Sequence, residues 1–174
     1  MDKSYTYEML EPLIREKISM DAEVTIWPKG ISMLPMIRQG IDQVILKKPT
    51  GRLKKYDVIF YKRDNGQFVL HRIVKVRKKD YVLCGDNQTD YEYGITDGMV
   101  IAVMSAYICD GEYINSDNEI YLKYCKNHVR KQWFRRLKAK IKKAIKRLLG
   151  IAWKNKAQIL STSTADPCHV YVWM

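Results

Sequence analysis

Long apolar runs are missing from this sequence. A bilayer-spanning helix needs roughly 18 or more consecutive apolar residues, and the best uncharged stretch, Gly98 to Cys109, stops well short of that. The opening residues, Met1 to Glu8, lack the basic start and apolar core of a secretory signal. The expected location is therefore the cytoplasm, with at most a peripheral place on the inner face of the membrane. Cysteine is scarce as well. Cys84, Cys109, Cys125 and Cys168 show neither close pairing nor regular spacing, so reduced thiols are expected in place of a zinc site or a disulfide framework. No motif implies a metal or an organic cofactor.

Acidic residues are lacking in one place only. Up to residue 122 the chain carries 17 Lys and Arg against 18 Asp and Glu, whereas Lys123 to Lys156 holds 14 basic residues and no acid. The net charge of +12 thus belongs to one segment, and a boundary is expected near Ile120. Residues 1–120 read as a near-neutral globular domain, 121–158 as a basic appendage and 159–174 as a tail of unknown role. With 174 residues, 47% of them apolar, the chain has enough length and apolar content to bury a core, and wholesale disorder is excluded.

What is present in the first part is mostly β. Tyr7, Leu10, Leu13, Ile14 and Ile18 recur at helical spacing and predict a short amphipathic helix within residues 4–19. Short β-rich runs follow at Glu23–Trp27, Gln43–Lys47, Asp57–Lys62, Phe68–Arg77, Tyr81–Cys84 and Met99–Ile108, separated by turn residues. Asp64-Asn65-Gly66 is a hairpin signal, because Asn-Gly readily takes the positive φ values of a tight turn. One long ribbon from Asp57 to Arg77 is therefore expected.

Three short motifs could carry chemistry. Gly30-Ile31-Ser32-Met33-Leu34-Pro35 puts a serine just after a strand, where its hydroxyl lies near free backbone N–H groups. Ser32 is then either a cap, the commoner use of such a serine, or a nucleophile. In Val69-Leu70-His71-Arg72-Ile73-Val74, strand alternation sets His71 on the face of Val69 and Ile73. That position suits a general base or a half-buried structural histidine. Gly85-Asp86-Asn87, followed by Asp90 and Glu92, offers acids that could orient an imidazole, and is equally a generic turn. His128 and His169 have no comparable setting.

Taken in order, Ser-Met-x-Pro, His-Arg-Ile-Val and Gly-Asp-Asn with trailing acids resemble the signal peptidase I and LexA-like serine peptidase superfamily. The match is to its histidine-type branch, found in endoplasmic-reticulum, archaeal and some Gram-positive signal peptidases, and it covers roughly residues 23–108. The resemblance implies a β-rich catalytic domain. It also implies a serine endopeptidase that cleaves a leader or signal-like peptide from a peptide or preprotein substrate. By it Ser32 is the nucleophile, His71 the general base and Asp86 the first candidate for the orienting acid, followed by Asp90 and then Glu92. Met33, Leu34, Met36 and Ile37 would hold a peptide strand or pack a short helix. The chain departs from the family in reading Gly40-Ile41-Asp42 and Tyr56-Asp57 where the family usually has Gly-Asp, and in showing no membrane anchor ahead of the motifs. A LexA-like self-cleaving regulatory protein is a second reading, and a catalytically inactive membrane- or partner-binding module a third.

In the basic segment Phe134, Leu137, Ile141, Ile145, Leu148 and Ala152 recur every three or four residues between Trp133 and Trp153, with Lys and Arg filling most other positions. An amphipathic helix is predicted over 133–153. Aromatic ends and a basic face match an interfacial helix on an anionic membrane surface. A solvated or domain-packed face ranks second, and nucleic acid is disfavoured because it has less need of a continuous apolar stripe.

Overall fold

The computed structural model describes residues 6–162, with side chains through residue 149. The described residues divide into two units, the first ending at Arg135 and the second beginning at Arg136. Within the first, helix α1 (Tyr7–Ser19) precedes eight strands: β1 (Val24–Ile26), β2 (Gln43–Lys47), β3 (Val58–Lys62), β4 (Phe68–Val76), β5 (Tyr81–Cys84), β6 (Glu92–Ile95), β7 (Val100–Cys109) and β8 (Glu112–Asn115). Helix α2 (Glu119–Thr162) follows.

All pairings are antiparallel. The order across the sheet is β1-β2-β7-β3-β4-β5-β6, and β8 pairs with the second half of β7. Six of the eight strands match the runs read from the sequence. The other two, β6 and β8, are four residues each. β6 contains Gly94 at φ +82° and β8 is mostly exposed, so neither carries the alternation that marks a longer strand. The predicted ribbon is β3 and β4, registered from Val58 opposite Arg72 to Lys62 opposite Phe68. Its turn closes with the Arg63 N–H on the Gln67 carbonyl, and Gly66 at φ +85° supplies the left-handed step.

Alternation along these strands builds two cores. Val58, Phe60 and Leu70 pack with Val44, Leu46, Ala102 and Met104 beneath Ile14 and Ile18 of α1. On the other side Ile59, Tyr61, Val69 and Ile73 pack with Tyr81, Leu83 and Ile95. Both faces of the sheet are therefore buried along β3 and β4, which is why Phe68–Val76 reads as a nearly continuous apolar run. Four register shifts, one each in the β2/β7, β3/β7, β4/β5 and β5/β6 pairings, add local twist.

The first unit runs beyond the boundary expected at Ile120. Tyr121, Cys125, Val129 and Gln132 recur every three or four residues and are buried, so the opening turns of α2 belong to the β-rich unit although their other positions are basic. The next apolar residues, Trp133 and Phe134, are exposed. Among the described residues no helix is long and apolar enough to cross a membrane. Cys168, His169 and the tail from residue 163 lie outside the described residues.

A chain truncated after Arg135 is expected to keep a single cooperative thermal transition, and one truncated after Ile120 to lose it. Circular dichroism melts of the two truncated chains check this; equal melting of both would mean that the first turns of α2 do not support the sheet.

Candidate functional site

Ser32 and His71 line one recess. The strand β1 ends at Ile26, so the serine lies farther from the strand than its motif suggested, in a turn-rich loop that brings it back over the sheet. It is half-buried. The recess, of about 440 Å³, is lined by Gly30, Ile31, Ser32 and Met33 on one side and by Val69, Leu70 and His71 of β4 on another, with Asn87 and Gln88 completing it.

What holds the serine loop there is the Gly85-Asp86-Asn87 motif. The Asn87 backbone N–H donates to the Ser32 carbonyl at 2.8 Å, and the Asn87 amide donates to the Ile31 carbonyl at 3.3 Å. Gly85 lies against the same loop: a Cβ there would stand 2.6 Å from the Ser32 carbonyl oxygen and 3.0 Å from its Cβ. No side chain fits at that approach, so the glycine is a packing requirement. On the far side α2 grips the motif. The Gln132 amide donates to the carbonyls of Gly85 and Gln88 at 2.7 and 3.0 Å, and Arg135 donates to the Asp86 carbonyl at 2.7 Å. The His128 Nε2 lies 2.9 Å from that same carbonyl, so this histidine serves the loop's backbone.

The three candidate acids have different surroundings. Asp86 is fully buried, and both its carboxylate oxygens accept from Arg72, at 2.8 and 2.7 Å. Arg72 is itself fully buried and also donates to the Tyr56 carbonyl, the Tyr121 hydroxyl and Cys125 Sγ, and touches Met36 Sδ. Burial works against its charge, but the adjacent carboxylate more than compensates and raises its pKa well above the ordinary value. Asp86, first in the sequence ranking, is therefore engaged as the counter-ion of a core arginine. Asp90 is exposed and lines a neighbouring recess with Thr89 and Tyr91.

The acid beside His71 is Glu92, ranked third. Its Oε2 lies 3.6 Å from His71 Nδ1, an ion-pair distance. Tyr61 links the two more closely: its hydroxyl donates to Glu92 Oε2 at 2.7 Å and lies 3.3 Å from His71 Nδ1. Arg63 fixes the carboxylate from the other side, donating to both oxygens at 2.7 and 2.6 Å. Burial pushes the Glu92 carboxyl up, yet the contacts from His71, Arg63 and Tyr61 outweigh it and hold the group well below the usual carboxylate range. Burial, reinforced by Glu92, raises the Tyr61 phenol, which therefore stays protonated as a donor.

This arrangement can position an imidazole. With Nδ1 turned to Tyr61 and Glu92, a neutral ring that carries its proton on Nδ1 leaves Nε2 as the acceptor. Strand geometry explains the grouping. Ile59 lies opposite His71 in the β3/β4 register, so Tyr61, two residues along, shares its face, and Glu92 is delivered from β6 opposite Leu83. Of the apolar residues near Ser32, Met33, Met36 and Ile37 are buried in the core, whereas Ile31 is exposed at the rim of the recess.

Tyr61 and Arg63 carried a signal that went unread. Alternation along β3 puts Tyr61, and Arg63 just past the end of the strand at Lys62, on the face of His71. Tyr56 marks a third unread feature. It adopts φ +88°, a conformation glycine favours, and its carbonyl accepts from Arg72. Such a conformation costs a larger residue on the order of 1–3 kcal/mol.

The chain matches no protein-family model, no curated protein and no solved structure.

Two carboxylates that look alike in sequence should behave differently when neutralised. Asp86→Asn leaves Arg72 buried without its counter-ion and is expected to cost about 3–5 kcal/mol, seen as a fall in Tm of roughly 10 °C or more. Glu92→Gln, in a half-open setting, is expected to shift Tm far less.

The acid response separates them further. A carboxyl whose pKa is lowered by folding stabilises the protein above its unfolded value of about 4.3, and that contribution is lost as the pH falls through the folded value. Between about pH 6 and pH 3 the wild type should therefore lose Tm more steeply than Glu92→Gln; parallel curves would show that Glu92 is not held by His71, Tyr61 and Arg63.

Proposed function

We propose that the chain is a serine endopeptidase of the signal peptidase type, cleaving a leader or signal-like peptide by way of Ser32 and His71. The observation that carries this reading is the meeting of Ser32 and His71 in one recess, with the Nδ1 side of the imidazole held by Tyr61 and Glu92. The order of the three motifs along the chain supports it. The fold agrees at the coarser level of an antiparallel β domain, and the finer assignment to the signal peptidase and LexA-like fold is part of the proposal.

In the reaction, Ser32 Oγ attacks the scissile carbonyl while His71 Nε2 accepts its proton. The carbonyl oxygen becomes an oxyanion, stabilised by backbone N–H groups around Ser32. Collapse breaks the C–N bond, and the proton on Nε2 passes to the departing amine, leaving an acyl ester on Ser32. Water then attacks the ester, giving its proton to His71, and the serine is regenerated with release of the carboxylate product. Glu92, directly and through Tyr61, keeps the ring oriented and offsets the positive charge it gains in each half-reaction. Asp86 has a different part: paired with Arg72, it fixes the loop whose Asn87 N–H holds the Ser32 carbonyl.

The purified protein, offered a mixed peptide library and read by mass spectrometry, is expected to cut. Ser32→Ala and His71→Ala should each lower cleavage by about 10³-fold or more, by analogy with other serine peptidase triads. Glu92→Gln should lower it with the fold intact. Cleavage that survives Ser32→Ala would overturn the assignment. So would a folded protein that neither cuts the library nor is labelled at Ser32 by a fluorophosphonate, and that result would favour a catalytically inactive binding module.

A further inference from the structure

The second unit poses a separate question, because its described side chains leave an apolar face open to water. Leu137, Ile141, Ile145, Leu148 and Leu149 are all exposed, from 40% at Leu137 to 67% at Leu148. At about 100° per residue, Leu137, Ile141, Ala144, Ile145 and Leu148 fall within roughly 100° of arc, and Leu149 extends one edge. Lys138 and Lys140 stand at the two borders of this stripe. Arg136, Lys142, Lys143, Lys146 and Arg147 fill the opposite side, so residues 136–149 hold seven bases and no acid. Ala152, which the sequence pattern puts on the same stripe, and Trp153, which ends the predicted segment, lie beyond the residues whose side chains are described.

We infer that residues 136–149 bind the surface of an anionic lipid bilayer, lying in its plane with the apolar stripe among the acyl chains. Charge and geometry select this occupant. A second copy of the same helix, packed stripe to stripe, would bring the bordering Lys138 and Lys140 of both copies together with no acid in residues 136–149 to pair them, so the face is a poor seam for self-association. A nucleic-acid backbone would match the bases but leave five large apolar side chains in water. A bilayer carrying negative headgroups satisfies both: the stripe enters the apolar boundary while Lys138 and Lys140, bordering it, lay their methylene stems along the interface and keep their ammonium groups among the phosphates. Each basic residue near such a surface is worth about a fivefold gain in binding. This inference does not depend on the peptidase reading, and Ser32→Ala should bind as the wild type does.

Flotation of the full chain with vesicles tests it, using phosphatidylcholine alone or with one third phosphatidylserine. Binding to the mixed vesicles is expected at least about tenfold tighter than to the neutral ones and markedly weakened when salt is raised about tenfold. Lys138→Gln combined with Lys140→Gln should weaken it by about 25-fold. Ile141→Asp with Ile145→Asp should abolish it; because those aspartates could also unwind the helix, Ile141→Ala with Ile145→Ala, which favours helix, is the companion variant and should still lose most of the binding. Three results would overturn the inference: no binding to the phosphatidylserine vesicles, undiminished binding by the alanine variant, or transfer of the chain from vesicles to duplex nucleic acid at equal phosphate concentration.

Discussion

The buried pair of Arg72 and Asp86 is the interaction on which the first unit turns. Neither group is accessible to water, and such a pair persists only where every remaining donor finds a partner. Here the guanidinium reaches four further groups from three parts of the chain: Met36 after the serine motif, the Tyr56 carbonyl ahead of β3, and Tyr121 and Cys125 on α2. The ion pair thereby ties together segments that share no strand pairing. It also explains the unfavourable backbone at Tyr56, whose carbonyl is needed at one corner of that arrangement.

From this centre the candidate site is reached in two steps. Asp86 fixes the Gly85-Asp86-Asn87 turn, and the turn fixes the serine loop through the Asn87 N–H and the missing side chain at Gly85. His71 is set independently, by the rigid β3/β4 ribbon and by Glu92 arriving on β6. Serine and histidine thus depend on different supports, one ionic and buried, the other built on the sheet and half-open. Acids within a few residues of each other therefore have different surroundings: Asp86 is paired with Arg72, and Glu92, held by Arg63 and Tyr61, faces the imidazole.

Much of this was legible in the sequence. Asn65-Gly66, the alternating runs and the placement of His71 on the face of Val69 and Ile73 follow from local rules that tertiary packing did not override. The order of the acids was not legible, because it depends on which carboxylate meets Arg72. Arginine on the opposite face of β4 was visible, but its partner comes from another turn and its burial from α2. A helix over 133–153 was legible and lies within α2, but the packing of the first turns of α2 against the sheet was hidden by composition. A segment rich in Lys and Arg reads as solvated, and the buried positions Tyr121, Cys125, Val129 and Gln132 include a polar residue that serves as a backbone clamp. β6 was lost for the opposite reason: its four residues bear a glycine and lack apolar alternation, yet they deliver Glu92.

The strand order has a consequence for the order of assembly. β7 lies between β2 and β3, so the two parts of the sheet made first cannot join until Val100–Cys109 has been synthesised. The Arg72 centre waits longer still, for Tyr121 and Cys125, and the clamp on the Gly85 turn for Gln132. As the chain leaves the ribosome, the serine loop and the histidine strand both exist before the helical part of their support, Tyr121, Cys125 and Gln132, has been made. Maturation of the site is therefore a late event in the life of the nascent chain, imposed by the non-local contacts that dominate such a topology.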